Sequence, residues 1–223
     1  MAGKHMVITI GRQYGSGGAE TGRILAELLG ICCYDKNILK INSDASGIRE
    51  SYFHLADEKA GNRLLYRIMK NLTPEEGAPS FGPDLMSADN LFRFQSEVIR
   101  KLAAEESCVF IGRCADYVLD HYDVLLRVHV IGSWAERVSR IREKTAGSEA
   151  DAEKAIRRMD RERGEYYRYY TGRDWADAQN YDLVISTDRI GPAGAARVIL
   201  EYLRSLGFDL DKEFPSNKIE KCR

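Results

Sequence analysis

Residues 7–30 read VITIGRQYGSGGAETGRILAELLG, and this stretch decides the fold class. A short β-branched run at 7–10 leads into a turn rich in glycine, and a helical pattern with one apolar face follows. Strand, glycine-rich loop and helix in this order are typical of a phosphate-binding loop. The glycines let backbone N–H groups curl around an anion, and the helix adds the positive end of its dipole. We therefore expect an anion site where the first strand ends.

The loop departs from the nucleotide-binding pattern G-x-x-x-x-G-K-[ST] at the position of its lysine. Gly17 takes the second glycine position and Gly18 stands where the pattern has lysine, while Ala19 or Glu20 replaces the hydroxyl that binds Mg²⁺. The first glycine is replaced by Arg12, unless the loop carries one extra residue. Arg12 is the nearest candidate for the lost charge, because a guanidinium can bridge two phosphate oxygens. The alternative is that Arg12 points to solvent or pairs with Glu20.

The composition is that of an ordinary globular protein, with 44% hydrophobic and 30% charged residues in 223. The formal net charge of −1 lacks the basic excess that favours nucleic acid polymers, so we expect no such partner. No apolar run approaches the roughly 20 residues of a membrane span, which predicts a cytoplasmic protein without a membrane partner. We expect a single domain over residues 1–223, and the oligomeric state stays open.

Four further apolar runs, at 31–34, 108–111, 124–131 and 183–185, alternate with helical patterns. This alternation predicts a five-stranded parallel sheet that is covered by helices, with ligands at the carboxyl ends of the strands. Residues 36–90 interrupt the rhythm with a helical pattern at 48–72 and a stretch rich in proline and glycine. We interpret 36–90 as an insert, after which a helix begins near Ser87 or Asp89. A last helix is expected at 192–206.

A second interruption, a dense charged helix at about 149–172, lies within the segment 146–175. It carries arginines at 157, 158, 161, 163 and 168, with a sixth at 173, and this excess over lysine favours multidentate recognition of oxyanions. The alternative is a solvated helix with i,i+4 ion pairs to Asp160, Glu162 and Glu165. Its tyrosines would either stack on a base or pack against the core.

Two more strand ends carry polar candidates. Gly112 and Arg113 follow the run at 108–111, where the arginine can hold an acceptor phosphate or form a salt bridge with Asp116 or Asp35. Asp35 follows the run at 31–34 and could hold Mg²⁺ through water, position the acceptor, or cap a helix beginning near Lys36.

With these parts located, the chain resembles the cytidylate kinase-like branch of the nucleoside monophosphate kinases. The segments that carry the resemblance are ITIGRQYGSGG, LAELLG, YDK, VFIGRCADYVL, VHVIGSWAERVSRI and RRMDRERGEYYRYYTGRDWADAQNYDLVISTDRIG. It implies a three-layer α/β P-loop kinase fold with a five-stranded parallel sheet. It also implies a helical monophosphate-binding insert, here at 36–90, and an arginine-rich helical lid, here at 146–175.

The resemblance implies a phosphotransferase that uses ATP and Mg²⁺ and passes the γ-phosphoryl group to a nucleoside monophosphate, with CMP or dCMP expected. Asp35, Gly112 and Arg113 match the acceptor site, although Cys114 stands where the family has aspartate. The implied donor site is Gln13, Tyr14, Gly15, Ser16, Gly17, Gly18, Ala19 and Glu20, and the implied catalytic arginines are Arg12, Arg113, Arg158, Arg161 and Arg163.

Two other functions stay open. Gly18 and Ala19 remove the usual cation and the usual metal-binding hydroxyl, which would suit a catalytically weak nucleotide-binding regulatory module. A small-molecule kinase with a non-nucleotide acceptor is the other alternative, because the insert carries no recognisable motif. The residues that bind Mg²⁺ are not identified by the sequence.

Overall fold

The computed structural model describes residues 5–35 and 88–210, so the predicted insert lies outside the described residues except for its last three positions. The strands within these ranges are β1 (Val7–Arg12), β2 (Cys32–Tyr34), β3 (Cys108–Ile111), β4 (Leu125–Ile131) and β5 (Leu183–Ser186). The helices are α1 (Gly18–Leu29), α2 (Ala88–Glu105), α3 (Ala115–Val118), α4 (Trp134–Thr145), α5 (Glu149–Thr171) and α6 (Gly191–Ser205). None of these helices combines the length and apolar character that crossing a membrane requires.

All five predicted strands are confirmed, and so are the charged helix and the last helix. The strands form one parallel sheet in the order β2-β3-β1-β4-β5. The central strand β1 pairs with β3 and β4, so that Val7 lies between Cys108 and Leu125. Because parallel strands end at the same edge, the residues after β1 lie next to those after β3 and β4. The helix predicted at 48–72 and the candidate cap Ser87 lie outside the described ranges.

Helices cover both faces of the sheet, because the apolar side chains of its strands alternate between two clusters. On one face, α2 contributes Val98, Ile99 and Leu102 to a cluster with β3. On the other face, Leu25 of α1 and Ile199 of α6 are fully buried against β1 and β4. These are the three layers expected from the alternation of strands and helices.

A third, smaller cluster joins α4 and α5 beside the loop that follows β1. Val138 and Ile141 of α4 pack on Ala152 and Ile156 of α5, with Tyr14 of the loop against them. Serine side chains cap both helices: Ser133 accepts a hydrogen bond from the backbone N–H of Glu136, and Ser148 accepts one from Asp151. The loop therefore rests on a helix pair that lies outside the sheet.

Candidate functional site

The glycine-rich loop has the backbone of an anion cradle. Gly15 and Gly17 have positive φ angles of 82° and 79°, which glycine adopts without steric cost. The helix α1 begins at Gly18 without a side-chain cap from Gly17. The N–H groups of a helix's first turn lack acceptors within the helix and carry its positive dipole end. An anion can therefore bind at this end of α1.

Hydrogen bonds hold this loop in place from several elements. The Gln13 N–H donates to the Val130 carbonyl at 3.0 Å, and the Gln13 Oε1 accepts from the Gly132 N–H at 3.1 Å. Ser16 is fully buried, and its hydroxyl donates to the Gln13 carbonyl at 2.9 Å. The buried Thr187 hydroxyl donates to the Ser16 carbonyl at 2.7 Å. Ser16 is thus a structural part of the loop, which is preorganised rather than open to rearrangement.

Two arginines of α4 contact the loop, and neither is among the predicted site residues. Arg137 Nε donates to the Tyr14 carbonyl at 2.8 Å, and Arg140 Nη1 lies 3.5 Å from the Gly15 carbonyl. Arg140 also donates to the Thr187 hydroxyl at 2.7 Å. Their spacing of three residues places both on one face of α4, which is the only sequence signal that could have found them.

Arg12 lies inside the protein at the end of β1, with 15% of its side chain exposed. Its Nη2 lies 4.0 Å from Asp35 Oδ1, and Asp35 also accepts a hydrogen bond from Arg23 at 3.1 Å. Burial lowers the pKa of the Arg12 guanidinium, and the nearby charge of Arg163 lowers it further. Both effects disfavour the charged form of Arg12. An anion bound beside the guanidinium would offset them, because opposite charges stabilise each other. Glu20, the other partner considered for Arg12, is exposed.

The helix α5 contacts the loop through one of its faces. Asp160 accepts a hydrogen bond from the Tyr14 N–H at 2.7 Å and forms an ion pair with Arg137. Arg163 donates from Nη1 to the Arg12 carbonyl at 2.8 Å, and its guanidinium lies 5.5 Å from the Tyr14 ring centre. One predicted lid arginine therefore reaches the end of β1.

The other two predicted lid arginines lie on the exposed side of α5. Arg158 forms an i,i+4 ion pair with Glu162 at 3.8 Å, and Arg161 forms one with Glu165 at 4.0 Å. These are the solvated pairs that the alternative interpretation of the charged helix requires. The structure brings Arg12, Arg113 and Arg163 together and leaves Arg158 and Arg161 outside.

The chain is strained where β3 ends. Gly112, Arg113 and Cys114 have consecutive positive φ angles of 72°, 65° and 53°. A non-glycine residue in this conformation costs roughly 1–2 kcal/mol, and such strain concentrates at functional sites. Cys114 is buried, which raises the pKa of its thiol to about 12, so the sulfur is a neutral thiol rather than a nucleophilic thiolate. The turn aims Arg113 into the cavity described next.

A cavity of about 250 Å³ opens at the carboxyl ends of β1 and β3. Three arginines, two carboxylates and four aromatic rings contribute to its wall. Its lining residues are Gly11, Arg12, Gly112, Arg113, Cys114, Asp116, Met159, Glu162, Arg163, Tyr166, Tyr167, Trp175 and Tyr181. A cavity of this kind can bind an anion on the arginines and a planar group on the rings.

Behind this cavity lies the buried His129, whose ring packs 4.6 Å from the Tyr181 ring and 5.2 Å from the Trp175 ring. Burial, followed by the charges of Arg12 and Arg163, lowers the pKa of His129 to about 4. Asp116 accepts a hydrogen bond from the Tyr167 hydroxyl at 2.7 Å, while burial raises the pKa of its carboxyl. His129 and Asp116 were not predicted as site residues, because only the tertiary structure places Asp116 in the cavity wall and His129 behind its aromatic rings.

The loop offers little to a metal ion. Ala19 has no hydroxyl, and Thr21, the next hydroxyl-bearing residue of α1, is fully buried, with its Oγ1 donating to the Gly17 carbonyl at 3.2 Å. In the described ranges, no group of three or more His, Cys, Asp or Glu side chains could hold a metal. Asp35 stays a predicted ligand through water, because proteins usually bind Mg²⁺ with one or two carboxylates together with substrate phosphates.

Comparisons with known proteins agree with this architecture. The sequence profile of the cytidylate kinase-like family matches residues 7–189. An uncharacterized protein from Eubacterium ventriosum is 24% identical, with a TM-score of 0.67 over 90% of this chain and 99% of that one. Shikimate kinase from Acinetobacter baumannii is 16% identical, with a TM-score of 0.48 over 92% and 96% of the two chains. A search among curated proteins found no match. The family match and the strand order confirm the P-loop kinase fold.

Proposed function

The chain belongs to the cytidylate kinase-like family, and from that premise we propose that it transfers the γ-phosphoryl group of ATP to a nucleoside monophosphate. Family membership supports a phosphotransferase of the P-loop kinase type, and the identity of donor and acceptor is our proposal. CMP and dCMP are the first acceptors to test. The observation that carries the proposal is the meeting of Arg12, Arg113 and Arg163 in one cavity beside the glycine-rich loop.

Phosphoryl transfer needs positioned charge more than covalent chemistry. In our proposal, the backbone of Gly15–Gly18 and the first turn of α1 bind the donor phosphates, and Arg12 replaces the lysine of the usual pattern. Arg113 binds the acceptor phosphate from the other side of the cavity. Arg163 lies beside Arg12 and neutralises charge between the two substrates. The cavity's aromatic rings then pack against the rest of the acceptor.

Mg²⁺ fits this site only as an ion held mainly by substrate phosphates. Asp35 would bind it through water, because the loop supplies no hydroxyl at the usual position. When bound, the ion would neutralise charge on the phosphate oxygens. Arg158 and Arg161 remain predicted donor contacts that α5 would have to move to make, because both lie on its exposed side.

A second candidate function is nucleotide binding without efficient transfer. Ala19, which has no hydroxyl, and the complete burial of Thr21 favour it, because together they leave the start of α1 without an accessible metal-binding hydroxyl. In that case the same loop and arginines would bind ATP, and the protein would act as a regulatory module.

A coupled ADP-release assay with CMP, dCMP, UMP and AMP as acceptors, and with cytidine as a phosphate-free acceptor, tests the proposal. We expect ATP-dependent turnover with a cytosine monophosphate, and a loss of about a hundredfold in kcat/KM on Arg12→Ala, because one preorganised charge is removed. Arg197→Ala is the matched control, since Arg197 is exposed on α6. ATP binding without turnover on any acceptor would favour the regulatory module. Turnover only on a phosphate-free acceptor would replace the nucleotide by another small molecule.

A further inference from the structure

The absence of a lysine at position 18 has a steric cause in this structure. A Cβ atom added to Gly18 would lie 2.4 Å from the Cβ of Arg12 and 3.0 Å from the Cβ of Val130. Neighbouring atoms cannot approach this closely without a shift, and the Cβ of Arg12 is fixed by the backbone of β1. Any side chain at position 18 therefore competes with Arg12 for the same space.

The far end of the Arg12 side chain meets a second glycine. A Cβ atom on Gly112 would lie 2.0 Å from Arg12 Nη1 and 3.2 Å from its Cζ. Gly112 also has a φ of +72°, which a side chain would strain. The Cβ of Arg12 thus lies next to Gly18 and its guanidinium next to Gly112, so the side chain spans from the glycine-rich loop to the strained turn after β3.

The guanidinium between these glycines has more positive than negative neighbours. Asp35 lies 4.0 Å from Nη2, and Arg113 and Arg163 line the same cavity. The Arg12 Nε is buried and has no hydrogen-bond partner among the residues that the structure describes. A donor held in this way can bind an anion with little reorganisation.

We propose that the phosphate loop has a single place for a cation, which this chain fills from position 12 instead of position 18, with Gly18 and Gly112 as positioning residues for Arg12. The proposal rests on the proposed function, because it concerns the same anion site. Counted from Gly17, Arg12 occupies the first glycine position of the nucleotide-binding pattern and Gly18 its lysine position. Relative to that pattern, the glycine and the cationic residue have exchanged positions in the sequence.

An exchange can be reversed, which gives the main test. Isothermal titration calorimetry of the full chain with inorganic pyrophosphate, and separately with ATP, compares Gly18→Lys alone with the pair Arg12→Gly and Gly18→Lys. The pair restores G-x-x-x-x-G-K. We expect the single variant to bind pyrophosphate about tenfold more weakly than the unmodified chain, because its two cations compete for one place. The double variant should recover most of the lost pyrophosphate affinity.

Alanine substitutions test each positioning glycine with a matched control. Gly18→Ala and Gly112→Ala should weaken pyrophosphate binding by about tenfold, because each displaces a different part of Arg12. Gly22→Ala is the control for Gly18→Ala, because Gly22 lies in the same helix as Gly18. Its added Cβ would meet the side chains of Ile111 and Ile10 at 3.0 and 3.1 Å without reaching Arg12. Gly172→Ala is the control for the second, because Gly172 has a φ of +70° and nothing within 4 Å of its added Cβ. Both controls should bind within about twofold of the unmodified chain.

The outcomes separate this inference from the proposed function. If Arg12→Ala leaves pyrophosphate and ATP binding unchanged, Arg12 is not at the anion site and this inference fails, whereas the proposed function fails only if the ADP-release assay detects no turnover. If Arg12→Ala weakens binding while Gly18→Lys binds as tightly as the unmodified chain, the proposed function stands and the single cation place is refuted. The same holds if the folded double variant binds no better than Gly18→Lys. Circular dichroism and the melting temperature establish that each variant is folded.

Discussion

The two faces of α5 both carry arginines and carboxylates, but one face contacts the glycine-rich loop and the end of β1, and the other is exposed. On the inner face, Asp160 and Arg163 contact the phosphate loop. On the outer face, Arg161 and Arg158 form i,i+4 pairs at 4.0 and 3.8 Å, and both are mostly exposed. Charge composition alone therefore does not show which arginines serve a site. The orientation of the helix about its own axis decides it.

Two apolar side chains set that orientation. Ile156 is fully buried and Tyr167 is 4% exposed, and they lie four residues before Asp160 and four residues after Arg163. Residues at this spacing share one face of a helix, so burying Ile156 and Tyr167 turns Asp160 and Arg163 toward the loop. The four predictions that follow break or sharpen the contrast between the inner and outer faces.

Removing the inner carboxylate should have the largest effect on stability. Asp160→Ala deprives the Tyr14 N–H of its acceptor and leaves Arg137, whose side chain is 6% exposed, without its ion pair. We expect the free energy of unfolding to fall by about 3 kcal/mol in urea titrations, because an uncompensated buried charge remains. The outer control Glu165→Ala should change it by less than about 0.5 kcal/mol. Equal losses would mean that the two faces do not differ energetically.

Burial, followed by the charges of Arg12 and Arg163, should make the stability of the protein sensitive to acid through His129. Its pKa is lowered from 6.5 to about 4 in the fold, so below pH 6.5 the unfolded chain binds the proton more readily than the folded one. Stability is therefore lost as the pH falls from about 6.5 to about 4, by about 2 kcal/mol at pH 5. His129→Phe keeps the ring contacts and should flatten this loss in urea titrations between pH 7 and pH 5. His121→Gln, at an exposed position, should leave the slope intact. If the free energy of unfolding of His129→Phe falls with pH as steeply as in the unmodified chain, the loss of stability comes from other titrating groups.

Arg163→Ala should lower kcat/KM by about tenfold, equivalent to about 1.4 kcal/mol of transition-state stabilisation. The physical reason is the loss of a cation that lines the cavity and contacts the Arg12 carbonyl. The ADP-release assay measures it once the acceptor is known. A melting temperature within a few degrees of the unmodified chain would separate this loss from a folding defect.

Arg161→Ala should have the smallest effect, about twofold on turnover, because an exposed i,i+4 pair contributes little. The lid interpretation of the sequence instead predicts that turnover falls by at least about tenfold, as expected for a cation that closes over the donor. A tenfold loss without unfolding would therefore show that α5 changes its orientation when substrates bind.

Local sequence patterns predicted much of the fold. The apolar runs gave all five strands to within two residues, because a buried parallel strand leaves a continuous apolar signal. The glycine-rich loop was also located by sequence, since positive φ angles at Gly15 and Gly17 require glycine. The predicted catalytic and binding roles of the site residues stay predictions, and residues 36–87 of the predicted insert at 36–90 lie outside the described residues.

Other parts of the site depend on contacts that no local pattern encodes. Arg137 and Thr187 reach the loop across 123 and 171 residues of sequence, and His129 of β4 packs on Trp175 and Tyr181, which line the cavity. Their neighbours in sequence are ordinary strand, helix and turn residues. Only the packing of β4, β5 and α4 around β1 makes them part of one site.

The sequence by itself determined that this protein has a parallel sheet, a glycine-rich loop after its first strand and a charged helix in which arginine exceeds lysine. These follow from backbone conformation and apolar periodicity, which act over a few residues. The tertiary structure alone decided that Arg12 lies between Gly18 and Gly112 and that Arg163, rather than Arg161, faces it. Those facts depend on the space that distant elements leave for a side chain, and that space exists only after the sheet and helices have packed.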